Sequence, residues 1–372
     1  MKVLVLAGFL LFIVALAHPA AIDSAKGNEE DKIENDIEGF DDDFYDDFDD
    51  EVEISVGSNT DGLWFLDDDG NPVEASLDDD HEDETPDQTE RDLATRVIFY
   101  MYAKGNTRDP HKLYIGDKEA LRKSNFDPSK PTRFITHGWM NSRRSEACTL
   151  VRDAYLTNGH YNVIVVDWSR ITIRPYVFAS RRVKMVGIFV SKMIDFLERN
   201  GMDPSTTTLV GHSLGAHVMG LAGHYAKSRV DYVVGLDPAL PLFTFAGPGS
   251  RISKGDARFV EIIHTNAGLL GYLSPIGDVD FYPNGGSKQR GCIIDIGGSC
   301  SHSRSYWFFA ESINSHTGFY GRECKSYVRF KLGLCNRKGL GLMGGHRWLH
   351  SLKSAGTYFL NTRIKFPYAV GK

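Results

Sequence analysis

With 372 residues, 42% of them hydrophobic, the chain is long enough for one large domain and an accessory segment. Its overall charge of −7 gives no reason to expect nucleic acid as a partner. After the first 20 residues no stretch is long and apolar enough to cross a bilayer as a helix, which excludes a polytopic helical membrane protein.

Residues 1–20, MKVLVLAGFLLFIVALAHPA, read as a cleavable secretory signal. Lys2 supplies a positive start, Val3 to Ala15 an apolar stretch, and Ala15 with Ala17, or Ala20 with Ala21, a place to cut. Secretion makes disulfides permissible. The cysteines are Cys148, Cys292, Cys300, Cys324 and Cys335, so an odd one is left over. Close spacing suggests Cys292–Cys300 and Cys324–Cys335 with Cys148 free, although sequence alone leaves other pairings open. No Asn-x-Ser/Thr acceptor occurs, so no N-glycan is expected.

Charge then divides the chain. Residues 22–90 hold 29 acidic and 2 basic side chains, and residues 91–372 hold 39 basic and 20 acidic ones. Runs such as DDDFYDDFDD (41–50) and LDDDHEDE (77–84) have little apolar patterning. Residues 21–90 are therefore expected to be disordered, either as a solubilising tail or as a pro-segment that folds back on the basic part. Phe40, Phe44, Tyr45, Phe48, Trp64 and Phe65 offer docking points among the acids, and Arg91 and Arg96 offer trypsin-like cleavage points.

Residues 91–372 form the third division and have a different texture. RVIFYMY (96–102), RFITHGW (133–139), NVIVVDW (162–168), TTTLVGH (206–212), DYVVGLD (231–237) and FVEIIHT (259–265) read as strands. VGIFVSKMIDFLERNG (186–201) has apolar residues at helical spacing and stops at Gly201, and LGAHVMGLAGHYAK reads as a second helix. Alternating strands and helices predict an α/β fold with a mostly parallel central sheet flanked by helices. No internal repeat is visible.

Gly211-His212-Ser213-Leu214-Gly215 fits G-x-S-x-G. The pentapeptide alone is weak, but an apolar strand precedes it and a small-residue helix follows, the context of a nucleophile elbow. So tight a turn needs small flanking residues and lifts the Ser213 hydroxyl out of the sheet. A serine needs a base and the base an orienting acid, in the chain order Ser, Asp, His. Asp237, directly after a strand, and His302, in CSHSRS, are the candidates. His264 sits within a strand pattern and looks structural, His316 is a further competitor, and His212 is expected to pack beside the nucleophile without titrating against substrate. For the oxyanion, the backbone N–H of Leu214 and of Trp139, in Thr136-His137-Gly138-Trp139, are the expected donors.

These stretches, with DVDFYPNGG, SCSHSRSYWFFAESI and the late GLMGGH, resemble the pancreatic lipase family of animal α/β-hydrolases over about residues 95–370. The resemblance implies a secreted lipid-ester hydrolase with Ser213 as nucleophile, Asp237 as acid, His302 as base and Trp139 and Leu214 at the oxyanion. It also implies that the disulfide-closed loop before His302 is the lid. Only Ile293 to Ser299 lie between Cys292 and Cys300, too few to cover a deep acyl groove. A second covering loop between His264 and Phe281 also looks short. Within the family that combination resembles phospholipase A1, with a triacylglycerol or galactolipid lipase as the alternative and a non-catalytic lipid or polyanion binder as the alternative from another class.

No cofactor is expected. The family's calcium loop is reduced here to Asp256, with Pro248 and Ser253 where acids would stand, so no metal is expected. The expected partners are a lipid substrate at a membrane or droplet surface and an anionic lipid or heparin-like polyanion. The second would meet Arg143, Arg144, Arg170, Arg174, Arg181, Arg182 and Lys184. The chain ends soon after the catalytic region, so colipase-style partnering is not expected.

Overall fold

A computed structural model describes residues 62–77, 90–346 and 355–372. The signal segment, the aromatics Phe40, Phe44, Tyr45 and Phe48 and most of the acidic stretch lie outside the described residues. The strands are β1 (Leu63–Leu66), β2 (Pro72–Ala75), β3 (Ile98–Ala103), β4 (Asn106–Leu113), β5 (Thr132–Thr136), β6 (Asn162–Asp167), β7 (Thr208–His212), β8 (Tyr232–Leu236), β9 (Phe259–Ile263), β10 (Val279–Pro283), β11 (Phe319–Glu323), β12 (Leu340–Met343) and β13 (Gly356–Leu360).

All but the first two form one sheet in the order β12-β11-β13-β10-β9-β8-β7-β5-β6-β3-β4. The strands from β13 through β6 run parallel, and antiparallel pairs close both edges. A parallel strand is covered on both faces and so reads as an unbroken apolar run rather than an alternating one. NVIVVD in β6 and YVVGL in β8 are buried at every position for that reason.

Alternate side chains feed two cores. Phe134, Ile164, Leu209 and Val233 pack on one face of the sheet, and Ile135, Val165, Val210 and Val234 on the other. Helices cover both faces: α1 (Glu146–Asn158), α2 (Tyr176–Glu198), α3 (Leu214–Tyr225) and α4 (Ser299–Asn314). α2 starts at Tyr176, ten residues before the expected Val186, because Pro175 fixes the backbone at its N-cap. α3 packs close beneath it: a Cβ on Gly187 would fall 2.7 Å from Leu221. α1 and α4 pack together on the opposite face. Cys148, on α1, is fully buried and free, and burial pushes its thiol pKa up. The disulfides are Cys292–Cys300 and Cys324–Cys335, as the spacing suggested.

The boundary expected at residue 90 falls too late. Residues 63–75 fold as an antiparallel hairpin, β1 paired with β2 from Leu63↔Ala75 to Leu66↔Pro72. Phe65 enters the main core, 3% exposed. Three acids in its turn mask this element in a composition count, yet its apolar residues suffice to order it. Arg96, one of the expected cleavage points, ends a helix, Glu90–Arg96, and its guanidinium pairs with Asp92 at 3.1 Å.

Candidate active site

Ser213 sits between the end of β7 and the start of α3 with φ 58° and ψ −126°. A non-glycine residue in that region carries strain of about 1–3 kcal/mol, and the surroundings must enforce it. Its N–H donates to the Leu236 carbonyl (3.0 Å) on the neighbouring strand. The two motif glycines are required by close approach. A Cβ on Gly211 would fall 2.1 Å from the Gly215 carbonyl oxygen, and one on Gly215 would fall 2.3 Å from the His137 carbonyl oxygen. A third glycine, Gly138, lies over the serine itself: its added Cβ would stand 2.8 Å from Ser213 Cβ.

Asp237 follows β8 and is fully buried with φ 46°. Its carboxylate accepts the N–H of Thr265 (2.7 Å) and of Asn266 (3.1 Å) at Oδ1. Oδ2 accepts Nδ1–H of His302 at 2.6 Å. That bond fixes the tautomer: Nδ1 carries the proton, and Nε2 is left as an acceptor. His302 Nε2 and Ser213 Oγ are both buried, and neither has a hydrogen-bond partner among the described residues. Both line one cavity, so three of the sequence candidates meet at the C-terminal edge of the parallel strands, where open α/β sheets place their ligands. Trp139, after β5, lines the same cavity, and Leu214 is the first residue of α3. The first N–H groups of a helix have no acceptor one turn back and are free to receive an anion.

The competing histidines are elsewhere or occupied. His264 stacks on Tyr282 and bonds Asp280 Oδ1 (2.9 Å) and the Tyr272 carbonyl (2.8 Å), a structural role as expected. His316 is exposed in the turn after α4. His212 packs its ring 4.5 Å from that of His302 and donates Nε2–H to the His302 carbonyl (3.3 Å). Burial, with His302 beside it, holds its pKa well below the usual imidazole range, so it stays neutral.

The two loops expected to cover the site do other things. The segment after β9 closes over Asp237: a Cβ on Gly271 would fall 2.4 Å from its Oδ1, and Thr265 and Asn266 are the donors named above. In the disulfide loop, Ile293 and Ile294 are 94% and 82% exposed and do not line the cavity, whereas Ser299 does. Asp295 instead caps α4, accepting the N–H of Cys300 (2.8 Å) and of Ser301 (3.2 Å). It also accepts a hydrogen bond from the Ser301 hydroxyl at 2.5 Å. The short loop thus clamps the start of the helix that carries His302.

The wall of the cavity comes from the acidic segment, at Phe65, one of its expected docking points. Phe65 lies edge-on to the His302 ring (centroids 5.8 Å) and to Trp139 (5.4 Å), and stacks on Tyr176 (5.3 Å). Leu66, Asp67, Asp68, Asp69 and Gly70 continue the lining. The signal was available: a short apolar run, D-D-G, then a second short run is a hairpin pattern. Tyr306, edge-on to His212 at 5.0 Å, and Gly138 were also missed.

Of the basic residues, Arg174 and Arg182 lie over the Phe178 ring, Lys184 over Tyr225, and Arg143 over Tyr100. Arg170 donates to the Thr95 carbonyl at 2.7 Å. Asp256 is occupied by His224 Nδ1 (3.0 Å) and the Ser253 N–H (2.7 Å).

Comparison with known proteins adds the following. The family model described as Lipase matches residues 68–368. A pancreatic triacylglycerol lipase from Myocastor coypus is 33% identical over 266 residues, covering 65% of this chain and 58% of that protein. Pancreatic lipase-related protein 2 from Rattus norvegicus is 33% identical over 300 residues, covering 73% of this chain and 64% of that one. The chain therefore spans less than two thirds of the length of these relatives. Among solved structures, a putative α/β-superfamily hydrolase from Xanthomonas campestris pv. campestris aligns at 16% identity and a TM-score of 0.28. That alignment covers 36% of this chain and 71% of the other.

Proposed function

Because this chain belongs to the pancreatic lipase family, we propose that it hydrolyses carboxylic esters of lipids with Ser213, His302 and Asp237 as its catalytic triad. The observation that carries this reading is the pairing of two unpartnered buried atoms, Ser213 Oγ and His302 Nε2, on one cavity, with Asp237 bonded to the far side of the imidazole. In the first step His302 Nε2 takes the hydroxyl proton as Ser213 Oγ attacks the acyl carbonyl. The oxyanion is received by the N–H groups of Trp139 and Leu214, and Asp237 stabilises the imidazolium. Proton transfer from His302 to the departing alkoxide leaves an acyl-serine. Water, deprotonated by the same nitrogen, then releases the fatty acid and restores Ser213. Ser213→Ala is expected to lower kcat on a soluble ester by roughly 10⁴–10⁶ without changing the melting temperature. Full activity in that variant would end the reading.

For substrate we propose phospholipase A1 selectivity, release of the sn-1 chain. Its support is the seven-residue span between Cys292 and Cys300, which leaves the charged head group wet on that side. Triacylglycerol hydrolysis is the second reading, favoured by the name of the Myocastor coypus relative. Phosphatidylcholine with different acyl chains at its two positions, run beside triolein and read by mass spectrometry, separates them. Triolein cleavage alone would leave the triad and remove the phospholipase assignment. We further propose that the protein is secreted, in keeping with its two disulfides, and that the positive excess of residues 91–372 holds it on anionic lipid or a heparin-like polyanion. Vesicle binding that ignores salt would contradict the last point.

A further inference from the structure

The cavity over Ser213 and His302 has a volume of about 200 Å³. Clefts that hold drug-sized ligands measure about 300–1,000 Å³. A small ester fits the cavity, and the body of a long-chain lipid ester exceeds its volume. The side that closes it is the β1–β2 hairpin, whose residues from Phe65 to Gly70 face Ser213, His302 and Trp139 across the cavity.

Side-chain contacts and a backbone carbonyl hold the hairpin there, with Ala75 buried in the core and Leu63 and Val73 packed beside it. Phe65 inserts its ring among Trp139, Tyr176 and His302. Asn141 Nδ2 donates to the Leu66 carbonyl at 2.9 Å. The Asp68 carboxylate accepts the Ser142 N–H at 2.8 Å and the Ser142 hydroxyl. Both Asn141 and Ser142 belong to the loop that follows Trp139, so the hairpin is pinned to the expected oxyanion loop. Trp64 packs against Gly297, where an added Cβ would fall 2.7 Å from its own.

No ladder joins the hairpin to the large sheet. It is a separate two-stranded sheet of four residues a side. A two-stranded hairpin of that size is marginal alone and owes its order to what it packs on. It can therefore leave without unpairing any strand of the catalytic domain.

We propose that the β1–β2 hairpin is the chain-length-selecting cover of this active site. Docked, it admits small esters and excludes long acyl chains. Released from Ser142, Asn141 and the Phe65 pocket, it opens the groove to a lipid ester. The inference rests on the ester-hydrolase reading, and it assigns the covering role to a segment distant in sequence from the disulfide loop.

The test is a cross-link that can be compared with its own reduced form. Asp68→Cys with Ser142→Cys places two thiols where a carboxylate and a hydroxyl now meet. Acetyl and palmitoyl p-nitrophenyl esters in mixed micelles are the probes, with Asp68→Asn as the loosened variant. The oxidised pair is expected to lose at least tenfold on the palmitoyl ester while its acetyl ester turnover stays within about threefold. Asp68→Asn is expected to raise the palmitoyl-to-acetyl ratio about fivefold. A locked protein that cleaves the palmitoyl ester as fast as the parent, or that loses both esters equally, overturns the proposal. A readout without turnover keeps the two readings apart. Amide exchange of residues 63–66 is expected to rise when micelles are added to the parent and to stay flat in the locked form. Unchanged exchange in the parent overturns the cover whatever Ser213 does, whereas full acetyl ester turnover in Ser213→Ala would sink the hydrolase reading alone.

Discussion

Two short segments lie near His302, and each is fixed through an acid by a different route. The Cys292–Cys300 loop is closed covalently, and its Asp295 bonds the backbone at the start of α4. The β1–β2 hairpin is held by non-covalent contacts, and its Asp68 bonds the loop opposite. The first arrangement fixes the start of the helix that carries His302. The second leaves a wall that can be withdrawn. Proximity to a site, and even a disulfide, therefore says little about whether a segment covers it or supports it. What decides is where the polar groups of the segment make their bonds.

The contrast can be broken in several ways. The largest effect is expected at the axis that the loop supports: Asp237→Asn should lower kcat about 10⁴-fold on short and long esters alike. A change in the long-to-short ratio there would mean that the support and the cover are not separable. Next comes stability. Phe281→Ala, in a parallel strand of the core, should cost about 3–5 kcal/mol of global unfolding free energy. Phe65→Ala is nearly as buried, yet the protein escapes the cost by undocking the hairpin, so the global loss should stay under about 1 kcal/mol. Equal losses in denaturant titration would show the hairpin to be a fixed part of the domain.

Smaller still is Asp295→Ala, which removes the cap of α4 at about 1 kcal/mol. It should lower turnover of both esters by the same few-fold factor, checked by kcat on each and by the melting temperature. The smallest is a pH effect on the hairpin turn. The Asp67 carboxyl lies below its usual pKa. Burial alone would raise it, and the hydrogen bonds from Asn71, Asp69 and Gly70 outweigh that. A carboxyl whose pKa is lowered by folding stabilises the turn above the unfolded value near 3.9 and loses that contribution as pH falls through the folded value. Protection of the amides of residues 63–75, relative to their intrinsic exchange rates, should therefore fall below about pH 4, and Asp67→Asn should flatten the profile.

Much of this architecture was readable from residues. The parallel strands were visible as apolar runs because both of their faces are covered, and the elbow because steric crowding at Gly211 and Gly215 admits nothing larger. Chain order made Asp237 and His302 candidates beside His264 and His316, and the resemblance to the pancreatic lipase family chose between them. The start of α2 was missed because Tyr176 to Met185 carries Arg181, Arg182 and Lys184 among its apolar residues, which blurs the helical period. Phe65 stood among the expected docking points, but the strands of the hairpin went unread because charge was summed over a segment in which Phe65 and Ala75 carry the packing. Asp295 was invisible as a cap because its partner amides belong to a helix whose start is set by two glycines with positive φ, Gly297 and Gly298.

Cys148 gives the protein a chemical clock. Its sulfur is sealed between α1 and the sheet, and burial suppresses the thiolate that reagents attack. Modification can proceed only during excursions in which α1 detaches. α1 is tied to α4 through Asn158 Nδ2 to the Ile313 carbonyl and Asn314 Nδ2 to the Ala154 carbonyl. Those same excursions loosen the helix that presents His302. The rate at which one thiol is alkylated thus counts how often α1 and α4 part.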